Sequence, residues 1–378
     1  MLRCRPSPPY SELPLSRSDL NIAVLAGDGI GVEVTDAALA VLDGLAARFD
    51  LAFRWNRRPG GALHYRESGT ALPDATMRAC ESADAILFGA MGMPDIRYPD
   101  GTEIAPQLDI RVHLDLYAGV RPIRTLRGLP SVLADPRAAD IDLVILREQT
   151  EGLYWSRGRG TMRDADTASD TMLVTRAGSQ RVFDYAFRLA QRRRDAGRGQ
   201  GRVTCVDKAG VLLSQAFFHG VFAERAAVHP DVPGDFCNID AMALNLVRQP
   251  WVYDVIVTEN MFGDILSDLA AGLVGGMGLA PSGDIGDRHA MFQPCHGTAP
   301  DIAGTGRANP TAMLLSAAMM LDWLGERRGE TALCDAAQAL DSATADAFAD
   351  GLLKPYEFGG TAGTGDIARA VLAHLKRG

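Results

Sequence analysis

The chain has 378 residues, of which 47% are hydrophobic and 22% are charged, as expected for a globular protein with one or two domains. Its net charge of -9 argues against a nucleic-acid surface, because such a surface needs clustered positive charge. No segment has the apolar length of a membrane helix, and the six cysteines form no CxxC pair, which favours a cytoplasmic protein without structural zinc.

The first 19 residues are rich in proline, serine and arginine. They contain no apolar stretch long enough for a signal peptide, and Pro6, Pro8 and Pro9 oppose the amphipathic helix of a transit peptide. We therefore predict that residues 1–19 form a disordered extension.

From residue 21 onward, short β-branched runs alternate with helical patterns. The pattern predicts strands at 21–26, 84–90, 117–122, 141–147, 202–207 and 253–258, and helices at 32–48, 179–194, 211–227, 240–248, 262–274, 309–325 and 331–349. This alternation is typical of a layered α/β fold. The GDGIG segment (27–31) does not have GxGxxG spacing, so its glycines are interpreted as a tight turn between strand and helix.

Three arginines are candidates for binding an acid. Arg121 and Arg147 end predicted strands, and such positions face the crevice where α/β proteins bind ligands. With Arg111 they offer three guanidinium groups, which suit a dicarboxylate or a larger acid. The alternative is structural ion pairing with Glu148 or Asp115. By contrast, the Arg192–Arg194 run is interpreted as a solvated helix terminus.

Tyr154 and Lys208 each follow a predicted strand. A lysine near a metal and arginines has a lowered pKa and can act as a base, and a tyrosine beside such a cation can act as an acid. Alternatively, each residue is a hydrogen-bonded surface group.

Three aspartates are candidate metal ligands. Asp264 and Asp268 are four residues apart, so they share one face of a helix, where their like charges repel. A divalent cation would remove this repulsion, and with Asp240 the oxygen-only set suits Mg²⁺ or Mn²⁺. The alternative is a helix cap and a surface acid, but the surrounding sequence is largely apolar.

A late segment, PCHGTAPDIAGTGRANP, is dense in glycine, proline and polar turn residues. Such a segment can wrap a nucleotide with backbone amides. An ordinary surface loop is the alternative.

Taken together, the chain resembles the β-decarboxylating dehydrogenases of the isocitrate and isopropylmalate type, which include tartrate, D-malate and homoisocitrate enzymes. The resemblance covers about residues 21–376 and is carried in family order by GDGIGVEV, LDLYAGVRP, REQTEGLYW, VDKAGVL, VTENMFGDILSDLA and HGTAPDIAGTGRANP. It implies a two-domain α/β fold with a mixed central sheet that is not a Rossmann fold. The implied large cofactor-binding domain is 20–116 plus 275–378, and the small domain is 117–274 with a dimerisation arm at about 155–178.

The resemblance also implies roles for the candidate residues in a homodimer with shared active sites. Arg111, Arg121 and Arg147 would bind the carboxylates of a small malate-type hydroxy acid. Asp264 and Asp268 would bind Mg²⁺ or Mn²⁺ together with Asp240 of the second subunit. Lys208 of that subunit would help take the hydroxyl proton, and Tyr154 would protonate the carbanion carbon after CO₂ leaves.

For the cofactor, the resemblance places His296, Gly297 and Asn309 around an adenine and Asp301 at the adenosine ribose. A carboxylate at that position accepts from two hydroxyls and repels a 2′-phosphate. Family members that use NADP carry a lysine there, so the expected cofactor is NAD.

The stretch GTEIAPQLDIR departs from the isopropylmalate branch, which has leucines where Gln107 lies four residues before Arg111. A buried glutamine against an isopropyl group would leave amide groups unpaired, at a cost of about 1–3 kcal/mol. We therefore expect a polar or absent substituent at carbon 3. The alternatives are a 3-isopropylmalate dehydrogenase of leucine biosynthesis, in which Leu108 fills the space, and a non-catalytic regulatory subunit. The retained Tyr154 and Lys208 disfavour the regulatory subunit. A metal-dependent phosphoester hydrolase would explain neither the arginines nor Asp301.

Overall fold

The computed structural model of the protein describes residues 19–377. The predicted extension lies outside this range except for Asp19, which begins the first strand. The strands are β1 Asp19–Gly27, β2 Ala52–Arg57, β3 Ala85–Ala90, β4 Ala118–Arg124, β5 Asp142–Glu148, β6 Thr161–Asp164, β7 Thr167–Ser169, β8 Val203–Asp207, β9 Gly234–Asn238, β10 Val255–Thr258, β11 Pro281–Ile285 and β12 Ala290–Pro294.

Helices occupy most of the remaining described chain. They are α1 Ile30–Phe49, α2 Ala62–Ser68, α3 Asp74–Ser82, α4 Pro106–His113, α5 Arg176–Asp195, α6 Leu213–Val228, α7 Ile239–Arg248, α8 Asn260–Leu273, α9 Thr311–Arg328, α10 Thr331–Asp346 and α11 Thr364–Leu375. Within residues 19–377, none of them combines the length and the apolar character that crossing a bilayer requires.

One mixed sheet runs through the protein, with strand order β2-β1-β3-β12-β11-β4-β5-β10-β8-β9. Its two ends are parallel, but β4 pairs antiparallel with both β5 and β11, and β11 pairs antiparallel with β12. A Rossmann sheet is parallel through its nucleotide-binding half, whereas here the centre is antiparallel. The predicted mixed α/β fold is confirmed.

Helices cover both faces of the sheet. The rear face packs against α1, α5, α6, α9, α10 and α11, which form the largest core cluster. The front face packs against α3 and α4 at one end and against α7 and α8 at the other. Strand β3 is buried at every position, as a parallel strand covered by helices on both faces must be.

The GDGIG segment forms a tight turn, as predicted. Gly27 and Gly29 have positive φ, and a Cβ atom on either would lie 2.1 Å from a backbone oxygen. Between them, the buried Asp28 carboxylate accepts hydrogen bonds from the backbone N–H groups of Ala62, Leu63 and Gly92 at 2.7–2.9 Å. The turn therefore fixes the start of α2 and the loop after β3.

The predicted arm (155–178) contains the exposed hairpin β6–β7. Its role in dimerisation stays a prediction, as do the domain boundaries.

The Arg192–Arg194 run is not a wholly solvated terminus, because Arg193 is buried and pairs with Asp254 at 2.6 Å. Periodicity along α5 could have indicated this, since Arg193 lies on the same face as Leu189.

Candidate active site

Three arginine side chains meet on the front face of the sheet, between α4 and α8. Arg111 comes from α4, Arg121 from β4 and Arg147 from β5, and each is at most 5% exposed. The alternative pairing with Glu148 or Asp115 does not occur: Glu148 binds Thr150 and the backbone N–H of Glu151, and Asp115 pairs with Arg181. Three buried positive charges on one surface favour an anionic ligand.

Asp284 on β11 is a site residue that the sequence analysis missed. Its carboxylate is fully buried, and Oδ2 accepts from Arg111 Nε and Gln293 Nε2, both at 2.8 Å. The other oxygen, Oδ1, is buried without a hydrogen-bond partner. Asp284 therefore balances the charge of Arg111 and fixes its orientation. An acid within the short buried segment APSGDIG was the available signal.

Asp264 lies one helical turn into α8, whose first turn is capped by the Glu259 carboxylate. It forms an ion pair with Arg147 through Oδ1, and its Oδ2 accepts from Tyr154 Oη at 2.7 Å. Burial raises the pKa of this carboxyl, but the positive charge of Arg147 and the tyrosine hydrogen bond outweigh that effect and leave it below its usual value. Asp264 is thus an anion at neutral pH.

Tyr154 lies in a 3-10 turn, Leu153–Ser156, directly after β5. The Arg147 guanidinium lies 5.2 Å from the centre of its ring. Burial and the hydrogen bond to Asp264 raise the pKa of Tyr154, so its hydroxyl keeps its proton. The tyrosine hydroxyl is therefore protonated and lies beside Arg147, and its role as a proton donor stays a prediction.

Asp268 follows Asp264 by one turn of α8 and is half-exposed. Its nearest cation is Arg121, with 3.9 Å between Nη1 and Oδ1. Burial raises the pKa of Asp268 despite Arg121, and the charge of Asp264 adds to the rise. Two neighbouring carboxylates, one carrying unused lone pairs, fit a hard divalent cation that takes oxygen ligands.

Lys208 and Asp240 form an ion pair with each other, away from Asp264 and Asp268. Within residues 19–377, no three acidic, histidine or cysteine side chains are grouped closely enough to hold a metal ion. One chain therefore brings Asp264 and Asp268 together but does not add Asp240. The elements that carry Lys208 and Asp240, together with α8, also expose apolar side chains: Val211, Leu213, Leu244, Val247 and Ile265.

The late glycine-rich segment is not an ordinary surface loop. Thr298 anchors it to the GDGIG turn, because Ile30 N donates to its carbonyl oxygen at 2.8 Å. His296 and Asn309 line a cavity of about 370 Å³ next to this turn, with Ile30 and Glu357. Burial lowers the pKa of His296, and its Nε2 is buried without a partner.

The other predicted cofactor residues lie in or beside the same segment. Gly297 places its carbonyl oxygen 2.9 Å from His296 Nδ1, and Asn309 donates to Glu357. Asp301 is exposed and does not line the cavity. The cavity between the two glycine-containing loops is therefore suited to an aromatic base, and Asp301 is free to meet a group outside it.

Gln107 occupies the first turn of α4, one turn before Arg111 on the same helix face. Its Oε1 is buried and has no hydrogen-bond partner. A ligand group that donates a hydrogen bond to Gln107 Oε1 would satisfy this acceptor.

Comparisons with known proteins agree on one family. A family model described as isocitrate/isopropylmalate dehydrogenase matches residues 21–371. The chain is 39% identical over 358 residues to the 3-isopropylmalate/3-methylmalate dehydrogenase of Methanocaldococcus jannaschii, covering 94% of this chain and 98% of that protein. It is 41% identical over 314 residues to the homoisocitrate dehydrogenase of the same organism, covering 82% and 86%. Among solved structures, isocitrate dehydrogenase from Methylococcus capsulatus superposes with a TM-score of 0.82 at 35% identity, covering 94% and 99%.

Proposed function

The chain belongs to the isocitrate/isopropylmalate dehydrogenase family and is a decarboxylating dehydrogenase, and on that premise we propose that it oxidises 3-isopropylmalate with NAD and a divalent metal. The observation that carries the reaction class is the convergence of Arg111, Arg121 and Arg147 beside Asp264 and Tyr154. It unites an anion-binding surface, a pair of metal-binding carboxylates and a proton donor.

The substrate assignment rests on the relatives. Several of the most similar ones are named 3-isopropylmalate dehydrogenase, including those of Methanothermobacter thermautotrophicus and Aquifex aeolicus. The polar or absent substituent expected from Gln107 finds no support among these names. We therefore favour the alternative stated above, an apolar isopropyl group that contacts α4 beside Leu108.

The residues of the chain perform binding, orientation and proton transfer. The three guanidinium groups hold the carboxylates of the substrate, and their burial excludes water from the charged contacts. Lys208 Nζ of the second subunit takes the proton from the hydroxyl on carbon 2, and Tyr154 Oη delivers a proton to carbon 3 after CO₂ departs. The two cofactors, when bound, supply a hydride acceptor and a Lewis acid for the oxygen on carbon 2.

We infer that the enzyme is a homodimer in which each active site contains residues of both copies. Asp264 and Asp268 lack a third acidic partner within the described part of the chain, whereas Lys208 and Asp240 lie on an exposed surface. Leu213 and other large apolar side chains on the adjacent helices would be covered by a second copy. We propose a cytoplasmic location because Cys80, Cys205, Cys237 and Cys295 are free thiols, although Cys334 forms a disulfide and departs from the expected pattern of free thiols.

A substrate panel tests the proposed function. Purified protein with Mn²⁺ and NAD is given 3-isopropylmalate, malate, tartrate, isocitrate and homoisocitrate, and reduced nicotinamide is followed by absorbance. We expect kcat/KM to be highest for 3-isopropylmalate, and chelation of the metal should abolish turnover until Mg²⁺ or Mn²⁺ is restored. Absence of NADH formation with every acid would overturn the proposal.

One observation favours a second candidate substrate. The buried Oε1 of Gln107 lacks a partner, and an isopropyl group would leave it unsatisfied. A substituent that carries a hydrogen-bond donor would remove this cost. If isocitrate, tartrate or homoisocitrate gives the highest kcat/KM in the panel, the polar substituent replaces the isopropyl group in the assignment.

Replacing Asp284 by asparagine should raise KM for the hydroxy acid about 10–100-fold, since Arg111 loses its charged partner and its fixed orientation. KM for NAD should change little. The double variant Asp284→Asn/Gln293→Glu returns a carboxylate to the same hydrogen bond and should recover part of the loss. Initial rates and a thermal melt of each variant check this. A folded Asp284→Asn protein with the wild-type KM would contradict the role.

Asp301→Lys tests the choice of NAD. Loss of two hydrogen bonds to the ribose should raise KM for NAD about 10–100-fold, and the new positive charge should improve the use of NADP. Asp335→Lys, which changes an exposed acid on α10, is the matched control and should alter neither. An unchanged KM for NAD would remove Asp301 from the cofactor site.

A further inference from the structure

A second cavity lies on the rear face of the sheet, between α5 and α9. Its volume is about 140 Å³, and its floor is apolar: Val120, Val144, Leu189, Ile285, Phe292 and Leu315. Protein interiors are packed closely enough that voids larger than a water molecule are few.

The rim of this rear cavity is charged. Four arginines line it, and each has a carboxylate partner. The pairs are Arg124 with Asp341, Arg192 with Glu326, Arg193 with Asp254, and Arg198 with Asp142. Asp322 on α9 is the remaining acid of the rim, and its Oδ1 is buried without a hydrogen-bond partner. Arg192 Nε, also on the rim, is a buried donor without a partner.

The rear cavity is separate from the active site, although both use the same strands. Successive side chains of a strand point to opposite faces of a sheet. On β4, Arg121 faces the active site and Val120 lines the rear cavity. On β11, Asp284 faces the active site and Ile285 lines the rear cavity. Binding behind the sheet is therefore independent of the proposed catalytic function.

We propose that the rear cavity binds a small apolar α-amino acid of the size of leucine. The ammonium group would donate to Asp322 Oδ1, the carboxylate would accept from Arg192 Nε, and the side chain would lie on the floor beside Phe292. An amino acid is the simplest ligand that has a cation, an anion and an apolar body within one short molecule.

Charge and size support this assignment. Burial, reinforced by the negative charge of Glu326, raises the pKa of Asp322 to about 7, and a bound ammonium group would offset both effects. An apolar protein cavity of about 150 Å³ takes up benzene, so the smaller side chain of leucine fits a cavity of this size. The main-chain groups of the ligand would then reach the rim.

Isothermal titration of the wild-type enzyme with L-leucine tests the proposal, with isoamylamine and 4-methylpentanoate as analogues that lack one charged end. We expect leucine to bind more tightly than either analogue. Asp322→Asn and Arg192→Lys should each weaken leucine binding at least about tenfold, the loss of one charge-assisted hydrogen bond. Asp335→Asn is the matched control and should bind like wild type. Malate at saturation should not displace leucine.

Three results would overturn the proposal. The first is no binding of leucine up to its solubility limit, or a crystal structure of the leucine-soaked enzyme with only water in the rear cavity. The second is equal binding of isoamylamine or 4-methylpentanoate, which would show that one charged end is not used. The third is displacement by malate, which would place leucine among the active-site arginines.

Discussion

Lys208→Ala is expected to lower kcat by about 10²–10⁴-fold, the range found when a general acid or base is lost. The lysine is proposed to take the hydroxyl proton, and Asp240 is the only acid with which it forms an ion pair within residues 19–377. Steady-state rates with saturating substrate and NAD measure the effect. Lys376→Ala, which removes an exposed lysine at the end of α11, should retain wild-type turnover.

Tyr154→Phe should lower kcat by a similar factor. Mixing the Lys208→Ala and Tyr154→Phe proteins tests whether the two residues of one site come from different copies. If Lys208 acts in the site of the second copy, a mixed dimer has one site with both substitutions and one site with neither. Random exchange of subunits should then restore about a quarter of the wild-type rate, because about half of the dimers are mixed and each has one intact site. No recovery after verified subunit exchange would place both residues in one chain's site.

The second large effect is expected from the two aspartates of α8, which should behave differently. Asp268→Asn removes a half-exposed carboxylate whose nearest cation is 3.9 Å away, so the protein should fold normally. Turnover should nevertheless fall by about 10³-fold or more, because metal stabilisation of developing charge contributes several kcal/mol. The Mn²⁺ concentration for half-maximal activity should rise in parallel.

Asp264→Asn should lose both turnover and stability. Its removal leaves the Arg147 guanidinium, which is 1% exposed, without its ionic partner, and an uncompensated buried charge costs about 3–5 kcal/mol of unfolding free energy. Urea titration and Mn²⁺-dependent rates of both variants separate these effects. Equal metal requirements in wild type and Asp268→Asn would contradict the assignment of Asp268 to the metal.

The sequence predicted the parts of the fold that have strong periodicity. Strands such as β5 and β10 are runs of branched apolar residues, and α8 shows a clear helical pattern, so their positions followed directly. Strands β11 and β12, PSGDI and AMFQP, were missed because proline, glycine and polar residues interrupt the pattern. Asp284 was missed with them, since its importance depends on lying opposite Arg111 in space.

For the active site, too, the sequence identified individual side chains but not the contacts between distant elements. Arg111, Arg121 and Arg147 were identified, but their ion-pair partners were not, because a partner is set by the packing of distant elements. The proposed relation of Asp240 to Asp264 requires a second copy, which a single chain cannot show. The preference for a polar substituent came from one residue, Gln107, and whole-chain similarity to 3-isopropylmalate dehydrogenases argues against it.

The exposed surface that carries Lys208 and Leu213 has a consequence for how much enzyme a cell must make. In the proposed dimer, Lys208 of one copy completes the site that holds Tyr154, Asp264 and Asp268 of the other, so a lone copy would have no complete site. Specific activity should therefore fall on dilution, as copies separate. Flux through this step would then rise more steeply than the number of chains when expression is low, and proportionally once nearly every chain is paired.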